Sequence, residues 1–251
     1  MKIKCITLFA LLSIVACSHP HPVEVQKILA AYPDQIKEYR DGYLIFHDQT
    51  KMLFDDGKTK SHLELMADPD IKDMFFYPYL KGPMNAPPER LDDPGRIRNE
   101  EFFKKIYGGT PQEVQQHLTE IQWCPNTVNQ TLKVTTINHV DKQLLKISER
   151  LDQHPEWASC FRAGAFRWRV IAGTDRLSAH SFGIAIDLSS NCSEYWQWDY
   201  QTADELVPIE YKNRFPVEIV AIFEEHGFIW GGKWYHYDTM HFEYRPELLM
   251  E

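Results

Sequence analysis

The chain has 251 residues, of which 43% are hydrophobic and 25% charged, and its formal net charge is -9. This length and composition are typical of a globular protein with one sizeable core, or one core and a smaller lobe, and they exclude wholesale disorder. The basic residues form no long run. The acidic balance therefore argues against a nucleic-acid partner, which normally requires a basic face.

The N-terminus has the features of a bacterial secretory signal. Lys2 and Lys4 precede a mostly apolar run over residues 6–15, which is too short for a stable membrane span. The run from Ile14 to Cys17 resembles a lipobox, in which the cysteine becomes the lipidated first residue. We therefore expect residues 1–16 to be a lipoprotein signal peptide, with an ordinary signal peptide or an uncut anchor as the alternatives.

The residue after the cysteine predicts a location. Ser18 stands where an aspartate would signal inner-membrane retention. By resemblance to that sorting rule, we expect a periplasm-facing lipoprotein of the cell envelope, at the outer membrane, held by lipid at Cys17. The predicted organisation after the signal is a tether over 17–30, an N-terminal region of unknown role over 31–120, and a peptidase domain over 121–251.

Three cysteines remain after the signal and the lipidated residue: Cys124, Cys160 and Cys192. An odd number allows at most one disulfide within the chain, and an oxidising compartment permits it. The pairing stays open at this point. Cys160 with Cys192 is the favoured pair because these two flank the main motif described below.

The predicted elements alternate between strands and helices in chain order. A β-hairpin is expected over 43–54, then irregular proline-rich chain over 77–98. Helices are expected over 99–107, from Thr110 with Pro111 at its first position, over 140–151 and over 216–225. Strands are expected over 132–137, 166–172, 183–188, 228–230 and 240–244. Without a βαβ rhythm, this order predicts an α+β domain, preceded by an α/β N-terminal region.

Four residues of the C-terminal half combine into a hydrolytic site. Zinc prefers imidazole nitrogens and carboxylate oxygens, and a catalytic site uses three protein ligands, which His180, Asp187 and His241 can supply. Gly183 lies between the first two and permits a close approach of the chain. Asp238 precedes His241 by three residues, which places a carboxylate near the metal without coordinating it. There it can take a proton from water and later hand it to a leaving amine.

Both motifs resemble a known family. Residues 178–187 match S-x-H-x-x-G-x-A-x-D, and residues 226–243 resemble H-G-F-x-W-G-G-x-W followed by D-x-M-H-F-E. These are motifs of the zinc D-alanyl-D-alanine carboxypeptidase family, which includes VanY-type enzymes, VanX-type dipeptidases and phage endolysins and shares its fold with the hedgehog signalling domain. The resemblance covers about residues 160–247. It implies a small antiparallel sheet with flanking helices, zinc on the three ligands named above, and Asp238 as general base and acid.

The family also suggests an arginine that binds the substrate carboxylate or stabilises the oxyanion. Arg169 is the favoured residue, because it precedes an Ile-x-Gly run that leads into the first motif. Arg162 and Arg167 compete for this role. Arg96 or Arg98 can also reach the cleft from the N-terminal region, although a solvated helix start is the expected position for both.

Four further residues are candidates for contact with substrate. Ser178 either binds substrate or a neighbouring group, or caps a turn. His236 lies two residues before Asp238, on the same face of an extended chain, and either supports the site or lies exposed. Trp196 and Trp198 can line the cleft, with at least one of them expected in the core.

The sequence therefore predicts a zinc metallopeptidase that acts on peptidoglycan stem peptides as a D-alanyl-D-alanine carboxypeptidase. Two alternatives stay open: an endopeptidase that opens cross-links, and a zinc-containing module that binds wall peptide or protein without turnover. Asp238 favours hydrolysis, because zinc binding alone does not require a carboxylate there.

Overall fold

The computed structural model describes residues 21–250. The predicted signal peptide, Cys17 and most of the tether before the first helix lie outside the described residues. Within residues 21–250, none of the helices is both long enough and apolar enough to cross a bilayer.

The fold is α+β, built from short helices and three small antiparallel sheets. The helices are α1 Val23–Ala31, α2 His62–Ala67, α3 Glu100–Tyr107, α4 Pro111–Gln115, α5 Val140–Leu151, α6 Trp196–Tyr200, α7 Val217–Glu225 and α8 Pro246–Leu249. The strands are β1 Ile36–Arg40, β2 Tyr43–Phe46, β3 Lys51–Leu53, β4 Leu118–Trp123, β5 Gln130–Thr135, β6 Ala185–Asp187, β7 Phe228–Trp230 and β8 His241–Tyr244.

The expected tether is wrong over residues 23–30. These residues form α1, whose Val25 and Ile28 are fully buried three positions apart on one helical face. The helix packs against α8 near the other end of the chain. Burial of an apolar stripe holds this segment on the domain, because each buried side chain of this size contributes about 1.5–3 kcal/mol.

The N-terminal sheet has the order β1-β2-β3, and its antiparallel β2–β3 pair confirms the predicted hairpin. All its pairings are antiparallel, so the region expected to be α/β is instead α+β. The N-terminal region also shares one apolar core with the C-terminal half. In this core the ring centroids of Phe103 and Phe182 lie 6.0 Å apart. The expected boundary at residue 120 falls inside β4, which pairs with β5 as a second sheet.

The third sheet has the order β6-β8-β7, so the last strand is central. Its short strands are almost fully buried. The helix α7 packs on β7 and ends before Gly227, whose φ of +87° is the left-handed conformation common after the end of a helix. A disulfide joins Cys160 and Cys192, as favoured from the sequence, and Cys124 is a buried free thiol.

Two predicted segments differ in their outcome. The proline-rich segment over 77–98 is irregular as expected, and it crosses the C-terminal half, where the Trp234 indole donates to the Pro94 carbonyl at 2.7 Å. The strand predicted over 166–172 is wrong. Its backbone amides donate to carbonyls of separate segments, at Lys133, His180 and Arg176, so only an isolated bridge from Val170 to Leu177 forms.

Candidate active site

The third sheet brings two candidate ligands together through its register. Asp187 ends β6 and His241 begins β8, and the two residues are directly opposite each other in the antiparallel pair. Opposed residues project to the same face of a sheet, with Cβ atoms about 5 Å apart. The Nδ1 atom of His241 therefore lies 2.9 Å from Oδ1 of Asp187.

His180 reaches the same point from a short 3₁₀ turn over Ala179–Phe182. Gly183 ends the turn with φ +70°, a conformation that favours glycine. A Cβ at this position would lie 2.9 Å from the Thr135 backbone nitrogen. The glycine in the first motif is thus required both by its dihedral angle and by the close approach of β5.

His180, Asp187 and His241 form a cluster, called the ligand cluster below, in which one ligand atom from each lies within 4.8 Å of the others. The Nδ1 of His180 donates to the Ala165 carbonyl at 2.6 Å, which leaves Nε2 as the atom for a metal. That buried Nε2 lies 3.1 Å from Asp187 Oδ1 but has no hydrogen-bond partner among the described residues. A buried unpartnered imidazole nitrogen beside a carboxylate and a second imidazole fits a zinc site.

The charges of this cluster are strongly coupled. Burial disfavours a charge on Asp187, but His180 and His241 outweigh it and hold the pKa of this carboxyl below its ordinary value. Asp187 is therefore ionised, which is the state required of a metal ligand.

Glu243 contacts the ligand cluster, and the sequence analysis assigned it no role. Its Oε2 lies 3.4 Å from Nε2 of His241 and accepts from Arg98 at 2.6 Å, while its Oε1 lies 3.3 Å from Arg245. A carboxylate on the far side of a ligand imidazole fixes the ring and its tautomer. The sequence signals for this role are its place as the last residue of the motif D-x-M-H-F-E and its position two residues after His241, on the same face of β8.

Asp238 lies in the loop before β8, close to the ligand cluster. Its Oδ1 is buried and has no hydrogen-bond partner in the described part of the chain. Burial, reinforced by the charge of Asp187, raises the pKa of Asp238 to about 7, and a cation in the cluster would lower it. The atom that would exchange protons with substrate is therefore held free of other contacts.

The ligand cluster and Asp238 line a cleft of about 400 Å³. Arg162, Arg167 and Arg169 compete for the role of binding the substrate carboxylate. Among these three, Arg169 alone lines the cleft. Ser178 also lines the cleft, and it makes no side-chain cap hydrogen bond to the turn that follows it. The geometry thus favours a role in the cleft over the capping alternative. A separate pocket of about 440 Å³, between α1 and α8, holds none of the candidate residues.

Of the two positions left open for His236, the structure excludes the exposed one. It is buried, its Nδ1 lies 2.7 Å from Asp93 Oδ2, and its Nε2 lies 3.1 Å from the Glu205 carbonyl. Both ring nitrogens are thus occupied, which contradicts direct substrate binding and supports a positioning role. Trp196 is 2% exposed and packs edge-on against His236 at 4.8 Å, whereas Trp198 is 47% exposed at the cleft.

The two arginines expected at a solvated helix start are mostly buried at the cleft. Arg96 donates to Asp93 at 2.9 Å and to Glu205 at 2.7 and 2.8 Å, and the side chain of Arg98 is 14% exposed. Neither Asp93 nor Glu205 was identified as part of the site from the sequence. Asp93, Arg96, Glu205 and His236 are called the arginine network below.

Comparison with known proteins agrees with the motifs. Residues 172–244, less than a third of the chain, match the family model described as D-alanyl-D-alanine carboxypeptidase. No curated protein and no solved structure gives a significant match. The matched segment contains the ligand cluster and Asp238, and it begins after Arg169. Residues 172–244 are therefore similar to the D-alanyl-D-alanine carboxypeptidase family.

Proposed function

We propose that the protein is a zinc metallopeptidase that removes the terminal D-alanine from peptidoglycan stem peptides. One observation carries this proposal. Three ligand atoms, one of them a buried nitrogen without a partner, meet an unpartnered carboxylate oxygen in one cleft, inside the segment that matches the family. A structural polar cluster has its buried polar atoms satisfied, whereas a site for a metal and a substrate keeps some free.

The side chains support hydrolysis of an amide bond. Zinc held by the ligand cluster would supply Lewis acidity, which polarises a carbonyl and acidifies water. Asp238 accepts one proton of the attacking water at Oδ1 while the water oxygen bonds to the carbonyl carbon. The carbon–nitrogen bond then breaks and Asp238 returns the proton to the leaving amine. Arg169 binds the terminal carboxylate, which orients the scissile bond.

The test is mass spectrometry of pentapeptide-rich muropeptides incubated with zinc-loaded protein and with its Asp238→Asn variant. Loss of one terminal D-alanine by the wild type alone supports the carboxypeptidase. Opening of cross-links instead would replace it with the endopeptidase. An unchanged pool, with one zinc bound to both proteins, would reject hydrolysis of wall peptides and leave the binding module.

We also propose that lipid at Cys17 anchors the protein to the outer membrane, facing the periplasm. The supporting observation is the lipobox-like run before Cys17, together with a peptidase segment whose family acts on the wall. Membrane fractionation of the wild type and of a Cys17→Ala variant tests this. Recovery of both proteins in the same soluble or inner-membrane fraction would reject the proposal.

A further inference from the structure

Four arginines line the cleft, and they differ in their partners. Arg96 and Arg98 are neutralised by protein carboxylates, Arg96 by Asp93 and Glu205 and Arg98 by Glu243. Arg169 and Arg176 form no ion pair within the described residues, although both line the same cleft as the ligand cluster. The cleft therefore carries two guanidinium charges that the protein itself does not balance.

Arg176 is the more confined of the two. It is half-buried, whereas Arg169 is exposed. The acids that face Arg176 are engaged elsewhere: Glu100 accepts from the Leu177 amide at 2.6 Å and pairs with Lys104, and Glu205 pairs with Arg96. Burial and the nearby charges of Arg98 and Arg96 lower the pKa of Arg176 to about 10. A half-buried cation without a counter-ion is costly, and an anionic ligand removes that cost.

The backbone places the two arginines side by side. The Ser178 amide donates to the Arg169 carbonyl at 3.0 Å and the Ile171 amide donates to the Arg176 carbonyl at 2.9 Å, on either side of the bridge from Val170 to Leu177. Opposed residues, and residues two apart in a strand, project to the same side. The four residues of that side all line the cleft: Arg169, Ile171, Arg176 and Ser178.

The spacing suits two anions better than one. Arg169 and Arg176 are diagonal neighbours across the antiparallel pair, where residues lie about 7–8 Å apart and their Cβ atoms somewhat closer. That separation is close to the length of two residues of an extended peptide, about 6.4–6.8 Å. A peptide that places its terminal carboxylate at Arg169 would present another carboxylate near Arg176.

We propose that Arg176 is a specificity-determining residue that binds a second, non-terminal carboxylate of the substrate. This inference rests on the proposed function, since it assigns the second of two carboxylate sites in the same cleft. The substrate class is accordingly a peptide with an internal carboxylate, and a neutral or amidated peptide is a poor substrate.

Three synthetic pentapeptides of the stem type test this. The first has a free α-carboxylate on its γ-linked D-glutamate and meso-diaminopimelate at the third position. The second replaces diaminopimelate with lysine, which lacks one carboxylate and is otherwise the same side chain. The third carries the amide of the D-glutamate α-carboxylate. Steady-state kinetics are measured for wild type, Arg176→Gln, Arg176→Lys and the control Arg167→Gln, whose exposed side chain lies outside the cleft.

We expect Arg176→Gln to raise KM for the first peptide about 10- to 100-fold with little change in kcat, as for a lost charge-assisted hydrogen bond. For one of the two modified peptides KM should no longer depend on Arg176, so that the KM values of wild type and Arg176→Gln differ less than about 3-fold. Arg176→Lys should recover part of the affinity and Arg167→Gln should match the wild type. An equal loss for all three peptides would mean that both arginines bind one carboxylate, and it would overturn the inference, as would no loss at all.

The same peptides distinguish failure of the inference from failure of the proposed function. Binding is measured calorimetrically on zinc-loaded Asp238→Asn protein, with and without Arg176→Gln. If the wild type cleaves none of the peptides but binding keeps the Arg176-dependent preference, the peptidase proposal fails and the inference stands. If binding is absent, or indifferent to Arg176, the inference fails.

Discussion

Two clusters of histidine and carboxylate groups occur in the described part of the chain, and their difference distinguishes a candidate metal site from a structural network. In the ligand cluster, and likewise among His62, Asp93 and Glu205, one ligand atom from each residue lies within 4.8 Å of the others. Proximity alone therefore makes both candidates for a metal. In the second group, however, Arg96 already supplies the cation, bound to Asp93 and Glu205 at 2.7–2.9 Å.

The ligand cluster contains no such protein cation. Arg98 approaches only Glu243, behind His241, and Arg169 lies in the cleft without an ion pair to any described residue. His180 Nε2 and Asp238 Oδ1 are left without partners, whereas in the second group Arg96 binds both carboxylates and the unpartnered atom is His62 Nε2. The lesson is that the presence of an internal counter-ion, not the number of nearby ligand types, indicates which cluster needs a metal.

The largest expected effect separates the two clusters by metal content. His241→Ala should reduce bound zinc from about one per chain to near zero and lower kcat/KM by about 1,000-fold, because a Lewis acid worth several kcal/mol is lost. Zinc is measured by plasma mass spectrometry on folded protein, checked by circular dichroism. The control His236→Gln lies in the arginine network and should keep its zinc. Loss of zinc from the control, or retention by His241→Ala, would contradict the comparison.

The next effect separates chemistry from metal binding within the site itself. Asp238→Asn keeps the size of the side chain but removes the proton acceptor, so kcat should fall about 100- to 10,000-fold. Zinc content and the affinity for a substrate-like peptide should stay within about 3-fold of wild type. A variant that loses zinc would show that Asp238 is a ligand instead of an acid–base group.

A smaller effect concerns acid stability of the arginine network. Burial tends to raise the pKa of Asp93, but the charge of Arg96 and the hydrogen bond from His236 outweigh burial and hold this pKa at about 2. This pKa is below the unfolded value of about 3.9, so the stabilisation is complete above about pH 5 and is lost as the pH falls through 2. The difference corresponds to about 2–3 kcal/mol at pH 7.

The measurement is urea unfolding of metal-free wild type and Asp93→Asn from pH 7 to pH 3. The wild-type advantage should be about 2–3 kcal/mol at pH 7 and about half of that at pH 3. The metal is removed because its own affinity depends on pH. A difference that is constant with pH would show that the Asp93 charge does not contribute.

The smallest effect concerns the backbone that positions His180. Gly183→Ala combines a left-handed φ with a Cβ only 2.9 Å from a backbone atom, so it should destabilise the fold by about 2 kcal/mol. Gly42→Ala is the matched control: its φ is +84° but no atom lies within 4 Å of the added Cβ, and it should cost about 1 kcal/mol. Equal losses in urea unfolding would show that the approach of Thr135 does not constrain the turn.

The sequence by itself determined much of the C-terminal half. The helix α5 matches its predicted range over 140–151, because Val140, Leu144, Ile147 and Leu151 recur at helical spacing on one buried face. The two motifs also predicted that His180, Asp187, Asp238 and His241 form one site. These features depend on local periodicity and on motifs, both of which are visible in a short window of sequence.

Only the tertiary structure decided the rest of the cleft. Asp93 and Arg96 come from proline-rich chain without periodicity. Asp93 meets His236 across 143 residues of sequence, and Arg96 meets Glu205 across 109. The sequence left the exposure of His236 open because that exposure depends on this distant segment. The segment that forms α1 was predicted to be a tether, because the helix is stabilised by packing on α8 near the other end of the chain. Burial and ion pairing between distant segments produce no recurring pattern of residues in the sequence. For that reason only the folded chain distinguishes the paired Arg96 and Arg98 from Arg176, which has no ion pair among the described residues.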